Sequence, residues 1–339
     1  MNKKGSKELP SVLDIPDLKG KRVLVRVDWN VPMHNGKVLG DFRIKKTMPT
    51  LEYLENAGAQ VLIATHLTNG SIDALDPFVP EGMRLLANLR DDPGEVENSV
   101  KFARSLAKQA DIYVNEAFSA SHRKHASIVG VPQLLPSYAG IQFKLEVKEL
   151  SRLFKPKHPF LFILGGAKFE TKIPLIKKFT KIADHIFIGG AVANTFFRAQ
   201  GRDIGKSLAS EHDFDAKELL ELFNTKKIIL PEDTVVDGGK ILDIGPRSAE
   251  SLKQKILEAE VVLWNGPMGN YELGYKVGTL KVGKLIADFA KESIVGGGDT
   301  LTALRELNLH HEFSFVSTGG GAMLDFLAKG TLPGIEALK

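Results

Sequence analysis

Two lysines set four residues apart behind a pair of glycines are the clearest chemical feature of this chain. Phe160–Ile173 reads FLFILGGAKFETKI, an apolar run closed by Gly165-Gly166 and followed by Lys168 and Lys172. The run is too short to cross a membrane and predicts a buried strand. Glycine lets backbone come close to a ligand, and lysines at i and i+4 share one face of the helix that should follow. A strand, a glycine turn and a helix start carrying two ammonium groups suit an anion, above all a polyphosphate. Taken alone, the segment reads equally well as a plain βα turn with solvated lysines.

Three more glycine turns favour the anion. Ile186–Gly190 (IFIGG) precedes the helix-like Ala191–Ala199, Ile294–Thr300 reads IVGGGDT, and Val316–Ala322 reads VSTGGGA ahead of the helical LDFLAKG. Each would present backbone N–H groups at the C-terminal edge of a parallel sheet, where open α/β folds bind ligands. Together they point to a nucleotide-sized anion in the second half of the chain.

The first half carries side-chain cations instead. Asp28 and Asn30 follow a strand in VRVDWNVP, Arg43 opens the next helix, and His66 follows the strand VLIAT. Arg90 lies in LLANLR, and Arg123 in FSASHRKHAS between His122 and His125. Any one of these is ordinarily a surface charge or a turn residue. Converging, the arginines and His66 would clamp a phosphate or carboxylate bidentately. His122 and His125 lack a third partner for a metal. Gly201–Ser207 (GRDIGKS) imitates a phosphate-binding loop, but it has three residues between its glycines where the motif needs four, and the polar EHDFD follows. It reads as a surface loop.

The elements that must position these residues alternate. Strands are predicted at Val23–Val27, Gln60–Ala64, Asp111–Val114, Phe160–Leu164, His185–Ile188, Lys227–Leu230, Val261–Trp264, Ser293–Val295 and Phe313–Val316. Helical patterns such as Lys45–Ala57, Ile173–Ala183 and Val277–Lys291 lie between them. Such alternation predicts α/β architecture, parallel sheets covered by helices on both faces. A length of 339 residues suggests two domains, and KPKHP near residues 150–159 marks the boundary. The net charge of +4, with no dense basic block, argues against nucleic acid. The chain has no cysteine, which excludes disulfides and thiol chemistry, and no apolar stretch reaches the roughly 18 residues of a membrane span. The start of the chain lacks the apolar segment of a secretory signal, so a soluble cytoplasmic protein is expected.

In order, these motifs resemble the phosphoglycerate kinase family. RVDWNVP is similar to that family's RVDFNVP, LLANLR to LLENLR, NEAFSASHRKHAS to NDAFGTAHRAHAS and FILGGAKFETKI to AILGGAKVSDKI. IGGAVANTF, LDIGP, WNGPMGNYE, GGGDT and STGGGA complete a set that covers nearly the whole chain. The resemblance implies two Rossmann-like three-layer domains whose parallel sheets face each other across a hinge. Residues 1–155 would bind 3-phosphoglycerate or 1,3-bisphosphoglycerate, with about 328–339 packing back on them. Residues 156–327 would bind ADP or ATP with Mg²⁺.

Carried over by motif, Asp28, Trp29 and Asn30 would lie at the glycerate, and Arg43 at the reacting carboxyl. His66, Arg90 and Arg123 would hold the non-reacting phosphate, with Asn69 beside them. Gly165, Gly166, Lys168, Lys172, Gly189, Gly190, Asn265 and Glu272 would frame the nucleotide. Gly297, Gly298 and Thr300 would flank Asp299, the Mg²⁺ ligand. Arg43, Lys168, Gly319 and Gly320 would act on the transferring phosphoryl group. A carboxylate nucleophile is already ionised at neutral pH, so no general base is needed.

The chain also departs from the pattern. Asn69 stands where the family's HLGRP has arginine, a loss that Lys124 or Arg84 would have to make good. The segment between His66 and Arg90 is short, so a strand–helix unit of the first sheet is expected to be missing. Pro231–Asp243 is trimmed too, Glu116 replaces an aspartate, and Thr171 replaces another. An active, shortened kinase is the leading expectation, acting on small molecules as a monomer. A nucleotide-binding pseudoenzyme, or a kinase for a related phosphorylated carboxylate, is the alternative.

Overall fold

The computed structural model describes residues 8–210 and 216–339; the first residues and the EHDFD stretch lie outside the described residues. It divides into two compact units, one formed by the chain up to Glu149 with Lys329–Lys339, the other by Leu150–Ala328.

The first unit runs β1 (Arg22–Arg26), β2 (Met33–His34), β3 (Lys37–Val38), α1 (Phe42–Asn56), β4 (Gln60–Ala64), β5 (Arg84–Leu85), α2 (Pro93–Val96), α3 (Val100–Ala107), β6 (Ile112–Asn115), β7 (Ser137–Ala139) and α4 (Ile141–Arg152), the last crossing into the second unit. Five strands pair in parallel in the order β5-β4-β1-β6-β7. β2 and β3 form a small hairpin whose turn residues Asn35 and Gly36 both take positive φ, as a tight two-residue turn requires. Val23, Val25, Leu51 and Ile63 are buried, so β1, β4 and α1 close the core by apolar burial.

The second unit runs β8 (Phe160–Leu164), α5 (Phe169–Phe179), β9 (His185–Ile188), α6 (Gly190–Ala199), α7 (Ala216–Asn224), β10 (Ile228–Ile229), β11 (Thr234–Asp237), β12 (Lys240–Ile244), α8 (Pro246–Glu258), β13 (Val261–Asn265), α9 (Val277–Phe289), β14 (Ser293–Gly296), α10 (Gly298–Glu306), β15 (Phe315–Val316) and α11 (Gly321–Lys329). A short α12 (Pro333–Glu336) returns to the first unit, where Gly334 N–H donates to the Ser121 carbonyl at 2.9 Å. Six strands pair in parallel in the order β10-β9-β8-β13-β14-β15, and β11 and β12 form an antiparallel hairpin. Every residue of β8 and β13 is buried, which explains their unbroken apolar runs.

Both parallel-sheet units anticipated from the alternation are present. Predicted strands Gln60–Ala64, Phe160–Leu164 and His185–Ile188 agree at both ends. No helix among the described residues is long and apolar enough to cross a membrane.

Candidate functional site

In the first unit, chain order reverses between β1 and β6, and that switch point opens a crevice at the strand C-termini. Asp28 stands there, two residues past β1. It accepts a hydrogen bond from Arg43 Nη1 at 3.1 Å and another from the Ser119 hydroxyl, beyond β6. Arg43, in the first turn of α1, also donates to the Asn30 carbonyl at 3.0 Å. Asn30 Oδ1 accepts from Thr68 N–H at 3.0 Å and so ties the loop after β1 to the loop after β4. Burial pushes the Asp28 carboxyl up, but the Arg43 guanidinium foremost, with other partners, holds it below its ordinary value.

His66 is buried two residues past β4, with Arg26 Nη2 3.0 Å from its Nδ1. A guanidinium only donates, so Nδ1 accepts and the neutral ring carries its proton on Nε2. Burial, and then the Arg26 charge, push the imidazole down to about 3. Arg26 itself is 1% exposed, and its Nε donates to Ser127 Oγ at 2.9 Å. Ser127 donates to the buried Glu95 through Oγ at 2.6 Å and N–H at 2.8 Å. This Arg26–Ser127–Glu95 network braces His66 from behind.

Arg90, in the turn Leu89–Asp91, and the exposed Arg123 both lie within electrostatic range of His66 and of each other. Burial and the neighbouring Arg123 lower the Arg90 pKa, yet a guanidinium stays charged at neutral pH. Arg90 Nε is buried without a partner. Such an orphan costs about 1–3 kcal/mol, a penalty that a bound anion would remove.

Trp29, grouped with the ligand residues by its motif, is fully buried, and its indole donates to Thr47 at 2.9 Å. It packs the core and offers no polar atom to a ligand. Asn69 lies exposed in the loop after Leu67. Arg84 pairs with Leu62 on β5 and donates to Gln109, just before β6, at the sheet edge opposite the crevice. That placement takes Arg84 away from the loop that holds Asn69, so it does not serve as the substitute the sequence offered.

In the second unit the switch point lies between β8 and β13, and beside it is a pocket of ≈ 490 Å³. Gly166, Gly190, Glu272 and Asp299 line it. Helices α5, α6 and α10 all begin at this edge, and helix starts favour anions, although in α6 the Gly190 and Val192 amides are already taken by the Met268 and Gly166 carbonyls. Lys168 is exposed at the start of α5. Lys172 turns back beneath the loop, where its Nζ donates to the Gly165 carbonyl. Burial lowers Lys172 to about 8, the nearby Asp299 opposing that and Lys168 adding to it.

The glycine pairs after β8 and β9 do not offer their amides as a cradle, because the chain itself takes them. Gly165 N–H donates to the Asn265 carbonyl, Gly166 to Pro267, Gly189 to Leu164 and Gly190 to Met268, at 2.8–3.0 Å. Gly319 N–H is likewise held by Ser317 Oγ at 3.0 Å, while Gly320, at φ 52, leads into α11. Gly165 and Gly190 are glycine because backbone packs on backbone there. A Cβ at Gly165 would lie 2.1 Å from the Pro267 carbonyl oxygen, and one at Gly190 2.6 Å from the Gly166 nitrogen. Asn265 Nδ2 donates to the Gly296 carbonyl at 2.8 Å and Thr300 Oγ1 accepts from Gly266 N–H at 2.9 Å, so both hold the turns together. Gly297 takes φ 112 to start α10, which sets the exposed Asp299 in its first turn beside Gly298.

Two pocket residues were missed from the sequence. Lys206 lines the pocket from the GRDIGKS loop, which was set aside because its glycine spacing was wrong. Asp243 is buried in the wall, accepting from Ile244 N–H at 2.9 Å and from Gly278 N–H, in the first turn of α9, at 2.9 Å. Burial raises its carboxyl to about 6.

The family model described as phosphoglycerate kinase matches residues 12–79 and 71–330. The two pieces meet within the shortened segment between His66 and Arg90. The chain is 40% identical to the phosphoglycerate kinase of Thermus thermophilus, over 97% of this chain and 99% of that one. It is 39% identical to that of Coprothermobacter proteolyticus, over 98% and 99%. The first alignment runs over 390 positions against a chain of 339 residues, so the relative carries segments that are absent here. The phosphoglycerate kinase structure from Coxiella burnetii matches with a TM-score of 0.84 and 34% identity, covering 98% of this chain and 99% of that one. That from Pyrococcus horikoshii matches with a TM-score of 0.85 and 29% identity, over 97% and 98%.

Proposed function

The chain belongs to the phosphoglycerate kinase family, and on that footing we propose how its two units divide the reaction. The enzyme is a phosphotransferase with a carboxyl acceptor. It moves a phosphoryl group reversibly between 1,3-bisphosphoglycerate with ADP and 3-phosphoglycerate with ATP, a step of glycolysis.

In our reading the first unit takes the phosphoglycerate. Arg90 and Arg123 bind the non-reacting phosphate, with His66 donating from Nε2. Asp28 and Asn30 receive the glycerate hydroxyl, and Arg43 leaves Asp28 to pair with the carboxyl group. The observation that carries this is the orphaned Arg90 Nε among guanidinium groups that no equal number of carboxylates offsets. The second unit takes the nucleotide, its phosphates against Lys168, Lys172, Lys206 and the helix starts.

Mg²⁺ fits this donor set. Among the described residues no three His, Cys, Asp or Glu gather into a cage, and Asp299 is a carboxylate at the pocket edge. Such an ion is commonly held by one carboxylate, phosphate oxygens and water, and it would neutralise and orient the phosphates. The carboxylate nucleophile attacks in line, and Arg43, Lys168 and Lys172 offset charge on the group in flight. Water must be kept out while the ligands meet, and hinge closure of the units is the proposed means. A cytoplasmic monomer completes the proposal.

The test is steady-state transfer from ATP to 3-phosphoglycerate in the presence of Mg²⁺, coupled to reduction of the acyl phosphate. Turnover in the wild type, lost in both Arg43→Ala and Lys168→Ala, supports the division of labour. Full turnover in either variant refutes that residue's role.

A further inference from the structure

Arg90 and His66 come to the proposed phosphate from different loops, and one side chain joins those loops. Asn88, half-buried, precedes the turn Leu89–Asp91 that carries Arg90. Its Oδ1 accepts from the Arg90 N–H at 3.2 Å, within its own turn, and from the Leu67 N–H at 3.0 Å, across in the loop after β4. Its Nδ2 donates to the Leu67 carbonyl and to Asp91 Oδ1, both at 3.1 Å. Reversing the amide would set oxygen against oxygen and N–H against N–H, so the four bonds fix its orientation. The Leu89 N–H adds a bond to the Thr65 carbonyl at 3.1 Å. The turn that carries Arg90 thus grips the residues on both sides of His66.

Asn88 has two tasks, and they differ in what they require. Capping the turn takes only an acceptor two residues before Arg90, which serine supplies as well as asparagine. Closing a ring with both polar groups of the Leu67 backbone takes an amide, which presents a donor and an acceptor side by side. Arg90 Nε has no partner among the described residues, so the guanidinium takes its place from the backbone that Asn88 holds. We infer that Asn88 is a positioning residue, which keeps His66 and Arg90 in one frame so that imidazole Nε2 and guanidinium meet the same phosphate. This assignment rests on reading the first unit as the phosphoglycerate site.

The experiment measures kcat and the KM of each substrate for transfer from ATP to 3-phosphoglycerate, in the wild type, Asn88→Ser, Arg90→Met and the double variant. Asn88→Ser keeps the cap on the turn but is too short to bridge to Leu67. It should raise the KM for 3-phosphoglycerate by about tenfold, inside the roughly hundredfold that a displaced group can lose, and leave kcat and the KM for ATP within about twofold. In the Arg90→Met background the same change should raise that KM by only about threefold, because one of the two groups it aligns is gone. An unchanged KM in Asn88→Ser makes Asn88 a cap and nothing more, and overturns the inference. Fully multiplied effects in the double variant overturn it too, as does a fall in kcat with a rise in both KM values, which marks general damage to the fold. Arg90→Met keeps the two readings apart. If it leaves the KM for 3-phosphoglycerate unchanged, the phosphate assignment fails and this inference with it; if it raises that KM while Asn88→Ser does not, only the role of Asn88 falls. Should Asn88→Ser fold poorly, amide exchange on the unaltered protein decides. Saturating 3-phosphoglycerate should slow the Leu67 and Arg90 N–H groups together by about tenfold, whereas slowing of one without the other overturns the assignment.

Discussion

Arg26 Nη2 and His66 Nδ1 lie 3.0 Å apart inside the first unit, both residues almost wholly buried. This pair fixes the tautomer of His66, the proposed phosphate donor, and keeps it uncharged. A histidine whose pKa falls from 6.5 to about 3 on folding costs nothing above pH 6.5. As pH drops through that window the unfolded chain binds a proton that the folded one refuses, so stability is lost. Arg26→Met should raise the His66 pKa, visible in its imidazole NMR titration. The KM for 3-phosphoglycerate should then vary between pH 5.5 and 7.5, where the wild type stays flat.

Glu116 has the opposite sign. It is buried at the start of α4, accepting from Thr50 and from the N–H groups of Gln142 and Phe143, and burial raises its carboxyl to about 7. A carboxyl lifted from 4.5 gives stability that is whole below pH 4.5 and lost as pH rises through about 7. Denaturant midpoints should fall between pH 5 and 8 by an amount on the order of 2–3 kcal/mol, and Glu116→Gln should abolish that slope. A Cβ at Gly140 would lie 2.1 Å from Glu116 Oε2, so Gly140→Ala should also cost about 1–3 kcal/mol.

Asp243 uses one carboxylate oxygen for Ile244 and the other for Gly278. Asn offers a single acceptor, so Asp243→Asn must leave one of those N–H groups unpaired. We expect a loss of about 1–2 kcal/mol in thermal or denaturant unfolding. Calorimetric titration should show weaker ADP binding, with 3-phosphoglycerate affinity unchanged.

Lys172 is poised near pH 8, with its charge resting on the Gly165 carbonyl. Lys172→Met should reduce kcat by about 10²–10³, the scale for losing one preorganised charge or donor. In the wild type, kcat/KM for ADP should decline above pH 8 as the ammonium deprotonates. An unchanged alkaline limb in Lys172→Arg would contradict this origin.

Asn69 stands where the resemblance places the arginine of HLGRP, and the prediction follows from that placement. Asn69→Arg should lower the KM for 3-phosphoglycerate by about tenfold at low salt, with the gain shrinking as ionic strength rises. Initial-rate kinetics across a salt series would decide it.

Much of the fold could be read in advance because parallel strands buried on both faces are apolar throughout, as β8 and β13 are. β5 and β7 escaped notice because they are two and three residues long, too short for any period to register. The site divides differently. Residue type and spacing singled out Asp28, Arg43 and His66, and the resemblance added Asp299, but neither told where a glycine N–H would aim, since that depends on which carbonyl folds against it. Lys206 was hidden by a motif test made for another loop geometry. Arg26 had left a signal: a charged residue at the end of an apolar strand buried from Val23 onward needs a partner, and RVLVRV shows one.

The close approach of backbone to backbone at Gly165 and Gly190 predicts where the chain is least tolerant of change. In a saturation library read out by growth, these positions should be as depleted as Arg43 or Lys168, though their amides are engaged within the chain. Their depletion should persist when the same library is scored for folded protein alone, whereas that of Arg43 and Lys168 should vanish. A map of sequence tolerance would therefore separate residues kept for the phosphoryl group from residues kept because there is no room for a methyl group.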